Sequence, residues 1–192
     1  MIGIPAFNEE KNIGSIIMKL KNSRHKISII IYIFCIVFFK DIFAESKYNF
    51  IKLKNEIDVS QVSFYHKNTK IKIEDFEQKL VIVNLWATWC APCLKEMPSL
   101  DKLAGKLNKN KFYILPLSQD GGGSSIIKKF YERLNIENLD IFFDPSHTFA
   151  NAVFLRGLPS TYIVKKGKVL AVLEGEINWD KKEIINQLEA FY

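Results

Sequence analysis

The chain has 192 residues, 48% of them hydrophobic, which suits one folded domain of about 100 to 150 residues with an appended segment. Lysine and arginine number 27 against 21 aspartate and glutamate residues, for a net charge of +6. A surplus this small describes a solvated surface rich in lysine, and it argues against nucleic acid as a partner.

The first 17 residues do not fit the rest of the chain. Residues 4–14 (IPAFNEEKNIG) resemble the opening strand-to-helix motif of family-two glycosyltransferases. Those enzymes need a nucleotide-sugar domain and an Asp-x-Asp type metal site, and this sequence supplies neither. We therefore interpret residues 1–17 as an out-of-place extension, a fragment or a mis-assigned start, with Met18 as the first native residue.

Residues 18–44 are predicted to form a targeting segment. Residues 27–39 (ISIIIYIFCIVFF) are an apolar run of 13, with four basic side chains just before it. Thirteen helical residues span about 20 Å, short of the roughly 30 Å hydrocarbon core, so the run suits a signal peptide. It is either cleaved after Ala44 or kept as an N-terminal anchor, and the charge pattern places the following residues outside the cytoplasm. A buried core segment is the alternative, and Cys35 is interpreted as apolar filler.

Beyond this segment, residues 45–60 are mixed and polar and are predicted to be a tether to a domain over residues 61–192. The predicted strands are 61–66, 69–73, 80–85, 112–117, 140–143, 160–164 and 169–173, with a turn at Lys67 and Asn68. The predicted helices are 91–107, 126–134, 145–154 and 181–191, the first interrupted by a kink near Pro98 and the last capped by Asp180. This alternation predicts an α/β domain with a central sheet flanked by helices.

Cys90 and Cys93 form a CxxC pair directly after the apolar strand 80–85, at the start of the helix 91–107. Two intervening residues put both sulfurs on the first helical turn, with Cα atoms roughly 5 to 6 Å apart, as a disulfide requires. The unpaired N–H groups and positive dipole end of a helix start favour a thiolate on Cys90. Pro92 lies in the first turn, where its missing N–H costs nothing. The spacing predicts a redox-active dithiol.

A CxxC pair can also bind a metal or be structurally inert. A four-ligand zinc site needs a second pair of ligands, but Cys35 lies in the apolar run and the three histidines are scattered. Two inert buried cysteines would need neither Pro92 nor the flanking tryptophans. A copper-binding metallochaperone that uses Cys90 and Cys93 as soft ligands remains an alternative.

The sequence WATWCxPCxxEMP over residues 86–98 resembles the signature of membrane-tethered thioredoxin-like reductases of the TlpA/ResA type, and it is most similar to the TlpA branch. Three further stretches match in the same order: LSQD with its following glycines at 117–120, FDP at 143–145 and GLPST at 157–161. The resemblance covers about residues 60–192. It implies a thioredoxin fold with a mixed central sheet, and the strands 61–66 and 69–73 would add an N-terminal β-hairpin.

The two cysteines are expected to share the exchange reaction. Cys90, exposed at the helix tip, would attack a partner's disulfide, and Cys93 would resolve the mixed disulfide. The resemblance implies a cis peptide between Leu158 and Pro159, packed against the dithiol, whose backbone docks an extended substrate segment. Trp89 and Pro92 are expected to belong to the same docking surface.

The proton partner of the dithiol is expected to be Glu96 or solvent. Glu96 lies three residues after Cys93 on one helix face, and the resemblance implies that its carboxylate takes the Cys93 proton or tunes its pKa. An exposed helix residue without a role is the alternative. Asn84 occupies the place where cytosolic thioredoxins commonly carry a buried aspartate, and an asparagine cannot exchange a proton.

Together these features predict an exported thiol-disulfide oxidoreductase on the periplasmic side of the inner membrane. The resemblance implies that it reduces protein partners such as apocytochromes c or copper-site proteins of respiratory oxidases. Because that compartment keeps thiols oxidised, electrons would come from a membrane thiol reductase. No metal or organic cofactor is expected. A high-potential disulfide oxidant or isomerase is the alternative within the same class.

Overall fold

A computed structural model of the chain describes residues 50–67 and 69–192. The predicted extension over residues 1–17, the targeting segment over residues 18–44 and the turn residue Asn68 lie outside the described residues. Among the helices that are described, none has the length and apolar character needed to cross a bilayer.

Strands and helices alternate along the described chain. The strands are β1 (Ile51–Asp58), β2 (Ser63–His66), β3 (Thr69–Lys72), β4 (Leu80–Trp86), β5 (Phe112–Ser118), β6 (Phe142–Phe143), β7 (Ser160–Lys165) and β8 (Lys168–Glu174). The α-helices are α1 (Ala91–Lys106), α2 (Ser124–Leu134), α3 (Thr148–Ala152) and α4 (Lys182–Glu189), and a 3-10 helix covers Ile73–Phe76. Each predicted strand and helix has a counterpart here, most of them shifted by a few residues at the ends.

The strands form one sheet in the order β1-β8-β7-β4-β5-β6-β2-β3. β5 pairs in parallel with both β4 and β6, whereas the other pairs are antiparallel. The mixed sheet and its flanking helices confirm the predicted α/β class. The predicted N-terminal hairpin is also confirmed: β2 pairs with β3, and β2 joins the sheet at β6.

The central strand β4 is buried along its whole length, and its side chains alternate between two cores. Leu80, Ile82 and Trp86 pack on the face covered by α1, α2 and α4. The intervening valines and leucine pack on the other face with β2 and α3. Asn84 falls on the first face, so a polar side chain lies in the core beneath α1.

Helix α1 runs through Pro98 without interruption, so the predicted interruption at this residue is wrong. Proline removes one backbone hydrogen bond from a helix interior. Met97, Leu100 and Leu103 are fully buried against the sheet, and this packing holds the helix together around Pro98.

The predicted tether over residues 45–60 contains a strand, which is a correction to the sequence analysis. β1 pairs with β8 along the edge of the sheet, with an irregularity between Lys52 and Ile57. Most of its side chains are exposed, but Ile51, Leu53 and Ile57 alternate with polar residues, and Leu53 and Ile57 pack against the core. This alternation was a strand signal, broken only at Asn55, which the prediction of a tether overlooked.

Asp180 does not cap α4 as predicted, because that helix begins at Lys182 with Lys181 in the N-cap position. The Asp180 carboxylate instead accepts a hydrogen bond from the Lys106 ammonium at the end of α1. The contact ties the C-terminal end of α1 to the segment that leads into α4.

Candidate active site

Cys90 and Cys93 are joined by a disulfide with an S–S distance of 2.10 Å and a Cα–Cα distance of 5.3 Å, within the predicted range. Cys90 is the N-cap residue of α1, and its sulfur accepts a hydrogen bond from the Cys93 backbone N–H at 3.3 Å. Pro92 lies in the first turn as predicted. The buried strand β4 and the helix α1 therefore fix the dithiol from both sides.

The two sulfurs differ in their access to solvent. Cys93 is fully buried in the core, whereas Cys90 is 5% exposed and lines an open groove. The prediction of an exposed Cys90 is wrong in degree, because the residue is buried except where it faces the groove. Cys90 is therefore the sulfur that faces the groove, and Cys93 lies behind it in the core.

The groove has a volume of about 890 Å³. It brings together three of the predicted docking residues, Trp89, Pro92 and Leu158, beside Cys90. The Leu158–Pro159 peptide bond is cis, as predicted. Pro159 itself is buried, and its carbonyl accepts a hydrogen bond from the Gly175 N–H at 2.9 Å. Leu158 is thus the member of this pair that lines the groove.

None of the remaining groove residues was predicted as a site residue. They lie after β5 and around α3: Gln119, His147, Ala150, Asn151, Phe154, Leu155 and Gly157. The His147 Nδ1 atom and the Gln119 Oε1 atom are 2.9 Å apart and link two of these segments. The exposed side chain of Phe154 distinguishes this part of the groove. Its exposure follows from the fold, and a sequence pattern does not report whether a single aromatic residue is exposed.

A buried carboxylate holds the loop that precedes Cys90. Asp120 accepts hydrogen bonds from the Thr88 backbone N–H at 2.9 Å and from the Thr88 hydroxyl at 2.7 Å. The Ser118 hydroxyl, at the end of β5, also donates to this carboxylate at 2.7 Å. Asp120 therefore fastens the end of β5 to the segment that carries Trp89 and Cys90.

Glu96 is buried on the helix that carries Cys93, so the alternative of an exposed helix residue is wrong. The side chain is 2% exposed, and its carboxylate accepts hydrogen bonds from the Asn84 amide at 2.8 Å and the Ile177 N–H at 3.2 Å. Burial raises the pKa of Glu96 from 4.5 to about 7, although the hydrogen bond from Asn84 acts in the opposite direction. A carboxyl group with this pKa is partly protonated and partly ionised at neutral pH, which suits it to exchange protons.

Glu96 and Cys93 lie three residues apart on the buried face of α1, as the helical spacing predicts. Asn84 sits on β4 below them and also donates to the Thr161 hydroxyl at 3.0 Å. The arrangement places a titrating carboxyl group, fixed by an uncharged amide, on the protein side of the dithiol. The groove lies on the other side, where Cys90 faces outward.

Metal ligation beyond the dithiol finds no further support among the described residues. Within residues 50–67 and 69–192, no three or more His, Cys, Asp and Glu side chains are grouped so that they could hold a metal ion.

A family model described as AhpC/TSA family matches residues 54–172. The chain is 31% identical over 108 residues to the thiol-disulfide oxidoreductase ResA of Bacillus thuringiensis subsp. konkukian, covering 56% of this chain and 61% of that protein. It is 32% identical over 120 residues to the ResA of Geobacillus thermodenitrificans, covering 62% of this chain and 67% of that protein. The matched segment thus spans about three fifths of the first relative's length.

Among solved structures, the fold resembles that of the pneumococcal exposed lipoprotein thioredoxin Etrx1 from Streptococcus pneumoniae. The TM-score is 0.57 at 23% identity, and the match covers 67% of this chain and 97% of that one. The likeness confirms the predicted thioredoxin fold.

Proposed function

Because this chain belongs to the AhpC/TSA family, we propose that its dithiol makes it a thiol-disulfide oxidoreductase acting on other proteins. One observation carries the proposal: the two bonded cysteines have unequal access, with Cys90 on a groove and Cys93 sealed behind it. Exchange through a mixed disulfide needs this division between a sulfur that meets the partner and a sulfur that resolves the complex. The names of the similar ResA proteins describe the same activity.

In the proposed reaction, the reduced Cys90 thiolate attacks one sulfur of a partner's disulfide. A Cys90–partner disulfide forms, and the partner's second sulfur leaves as a thiolate. The Cys93 thiolate then attacks the Cys90 sulfur, which re-forms the Cys90–Cys93 disulfide and releases the partner's first sulfur. Two electrons pass from the dithiol to the partner.

Glu96 is proposed to accept the proton that Cys93 must lose before it attacks. Its position one turn after Cys93, its burial and its raised pKa of about 7 support this role. Asn84 holds the carboxylate without competing for the proton, since an amide does not titrate in this range. Trp89, Pro92, Leu158 and the cis Pro159 are proposed to dock the extended partner segment along the groove.

The proposed direction is reduction of protein disulfides outside the cytoplasm, on the periplasmic side of the inner membrane. The support is the family resemblance and the targeting segment predicted over residues 18–44. Proposed partners are apocytochromes c or copper-site assembly proteins, with a membrane thiol reductase as the electron donor. No metal or organic cofactor is required for the exchange itself.

Trapping tests the activity. All proteins are full chains with Cys35→Ser, which removes the third thiol. The chain with this substitution alone is compared with one that also carries Cys93→Ser. We expect the Cys93→Ser variant to accumulate covalent complexes with disulfide-containing proteins. Reducing agents should cleave these complexes. A matched Cys90→Ser variant should form few, because Cys93 is buried. Equal trapping by both variants, or none by either, would contradict the proposed roles.

The reduction potential tests the direction. A reductant should have a Cys90–Cys93 potential near that of thioredoxin, about −270 mV, whereas a value near that of DsbA, about −120 mV, would mark an oxidant. Equilibration of the full chain in glutathione or dithiothreitol buffers, again with Cys35→Ser, gives this value.

A further inference from the structure

Phe154 has an unusual position at the edge of the groove. Its side chain is 83% exposed, although it is a large apolar residue, and it lines the same groove as Cys90 and Trp89. Trp89 is also largely exposed, at 70%. Two aromatic side chains are therefore held in solvent beside the reacting sulfur, one in the loop before α1 and the other just after α3.

The backbone at Phe154 has the conformation that normally selects glycine. Helix α3 ends in a Schellman motif, in which the Leu155 N–H donates to the Ala150 carbonyl at 2.9 Å and the Phe154 N–H donates to the Asn151 carbonyl at 3.2 Å. Phe154 occupies the left-handed position of this motif with φ of 52°. Glycine is preferred there and asparagine is tolerated, because a Cβ atom is strained at positive φ.

Helix α2 provides the comparison within the same chain. It ends in the same motif, with the Ile136 N–H donating to the Tyr131 carbonyl at 3.0 Å and Asn135 at φ of 53°. There the sequence supplies asparagine, a residue suited to the conformation. At the end of α3 the sequence has Phe154, a bulky aromatic residue whose side chain is hardly buried. Backbone strain of this kind is concentrated at ligand-binding positions.

The chemistry of the groove indicates what would contact this aromatic residue. None of the groove residues, all within the described part of the chain, is Asp, Glu, Lys or Arg. Because Cys90 lies in the groove wall, any segment that presents a sulfur to Cys90 must place its neighbouring residues along these uncharged, largely apolar surfaces. Apolar neighbours of the substrate cysteine fit this surface best.

We propose that Phe154, together with Trp89, binds an apolar side chain next to the reacting cysteine of the substrate polypeptide, and that Phe154 thereby sets the preference among protein disulfides. The inference rests on the proposed function and adds the substrate class: extended segments whose cysteine has apolar neighbours. The left-handed backbone holds the ring at the groove edge instead of letting it fold into the core.

The experiment uses two disulfide-linked peptide dimers that are identical except that leucine or serine flanks the cysteine. The reduced full chain with Cys35→Ser is mixed with each dimer, and the single-turnover rate of dithiol oxidation is measured. Each turnover converts one peptide disulfide to two thiols and forms one Cys90–Cys93 disulfide. Phe154→Ser, Phe154→Gly and Asn135→Gly are compared in this background, the last as a matched backbone control outside the groove.

We expect the leucine-flanked dimer to react about tenfold faster than the serine-flanked dimer with unsubstituted Phe154, because apolar area is buried. Both Phe154 variants should lose most of this preference, and Asn135→Gly should retain it. A preference that survives in both Phe154 variants, or none to begin with, overturns the inference while leaving the proposed function intact. If neither dimer nor a small disulfide such as dithionitrobenzoate oxidises the dithiol, the proposed function fails and the inference fails with it.

Thermal unfolding of the same variants tests the strain separately. Phe154→Gly should raise Tm by about 2 to 6 °C, since glycine relieves the left-handed strain and little packing is lost. Phe154→Ser keeps a Cβ atom at this position and should gain less. A lower Tm for Phe154→Gly would show that Phe154 stabilises the fold and would overturn the argument from strain.

Discussion

The side-chain amide of Asn84 on β4 donates a hydrogen bond to the Glu96 carboxylate on α1 at 2.8 Å, inside the core, where β4 meets the helix that carries Cys93. The amide satisfies a buried carboxylate without adding a second charge, and this matters because burying an unpaired carboxylate is costly. The compensation is incomplete, since the pKa of Glu96 is still raised to about 7. The pair therefore keeps one titrating group next to Cys93 at neutral pH.

The first prediction concerns stability against pH. The folded-state pKa of Glu96, about 7, lies above its ordinary value of 4.5, so the folded protein binds more protons between these values than the unfolded chain. The contribution of Glu96 to stability is therefore present below pH 4.5 and is lost as pH rises to 7. This loss lowers the free energy of unfolding by about 3 kcal/mol. We expect Glu96→Gln to remove this loss, as measured by urea unfolding of the oxidised protein at pH 4 and pH 8.

A second glutamate provides the control for this prediction. Glu183→Gln changes an exposed side chain on α4 and should leave the difference in unfolding free energy between pH 4 and pH 8 as in the wild type. If Glu96→Gln and the wild type show the same difference, Glu96 does not carry a raised pKa and its proposed proton role is lost.

The same carboxyl group should appear in the pH dependence of the exchange. We expect Glu96→Gln to slow the release of a mixed disulfide by Cys93, most strongly near pH 7, because the proton must then leave to solvent. Stopped-flow measurement of resolution from a preformed Cys90–glutathione disulfide, from pH 5 to pH 9, isolates this step. A pH profile unaltered by the substitution would remove Glu96 from the mechanism.

The sequence predicts most of the sheet because its central strands are apolar throughout. β4 and α1 meet at the CxxC pair, and a motif of this kind fixes both the chemistry and the fold. The strand β1 was missed although Ile51, Leu53 and Ile57 alternate with polar residues, because Asn55 interrupts the apolar face and most of the side chains are exposed.

Features that depend on contacts between distant parts of the chain could not be predicted from the sequence. Glu96 accepts a hydrogen bond from Ile177, 81 residues later, so neither its burial nor its raised pKa follows from the helical spacing alone. Phe154 was missed for the opposite reason, since apolar residues are usually assigned to the core. The interpretation of residues 1–17 and 18–44 stays a prediction.

The next prediction concerns the carboxylate that holds the loop before Cys90. Asp120→Ala leaves the Thr88 backbone N–H and two hydroxyl groups without their acceptor, and we expect it to lower the free energy of unfolding by about 2 to 4 kcal/mol. The loosened loop should also expose Cys90, so iodoacetamide should label this thiol faster in the reduced protein. Urea unfolding and mass spectrometry of the labelled cysteine measure the two effects.

Asp101 offers a matched control away from the dithiol. It is buried to a similar degree, and its carboxylate accepts hydrogen bonds from the Glu137 backbone N–H and from the backbone and side-chain N–H groups of Asn138. Asp101→Ala should destabilise the fold comparably without changing the labelling rate of Cys90. Faster labelling in both variants would show that reactivity follows global stability and not the loop.

The last prediction tests how the segment after β1 packs on the turn between β7 and β8. Gly167 lies in this turn at φ of 73°, and a Cβ atom added there would come within 2.6 Å of the Ser60 Cβ and 3.0 Å of its Cα. Gly167→Ala therefore combines strain at positive φ with a backbone clash, and we expect it to cost about 2 to 4 kcal/mol.

Gly175 is the matched control, because it lies at φ of 87° with nothing within 4 Å of an added Cβ, so Gly175→Ala should cost only the strain, about 1 kcal/mol. Urea unfolding of both variants gives the comparison. Equal losses would mean that Ser60 does not approach the turn, and the Val59 N–H to Gly167 carbonyl hydrogen bond of 2.8 Å would lose its support.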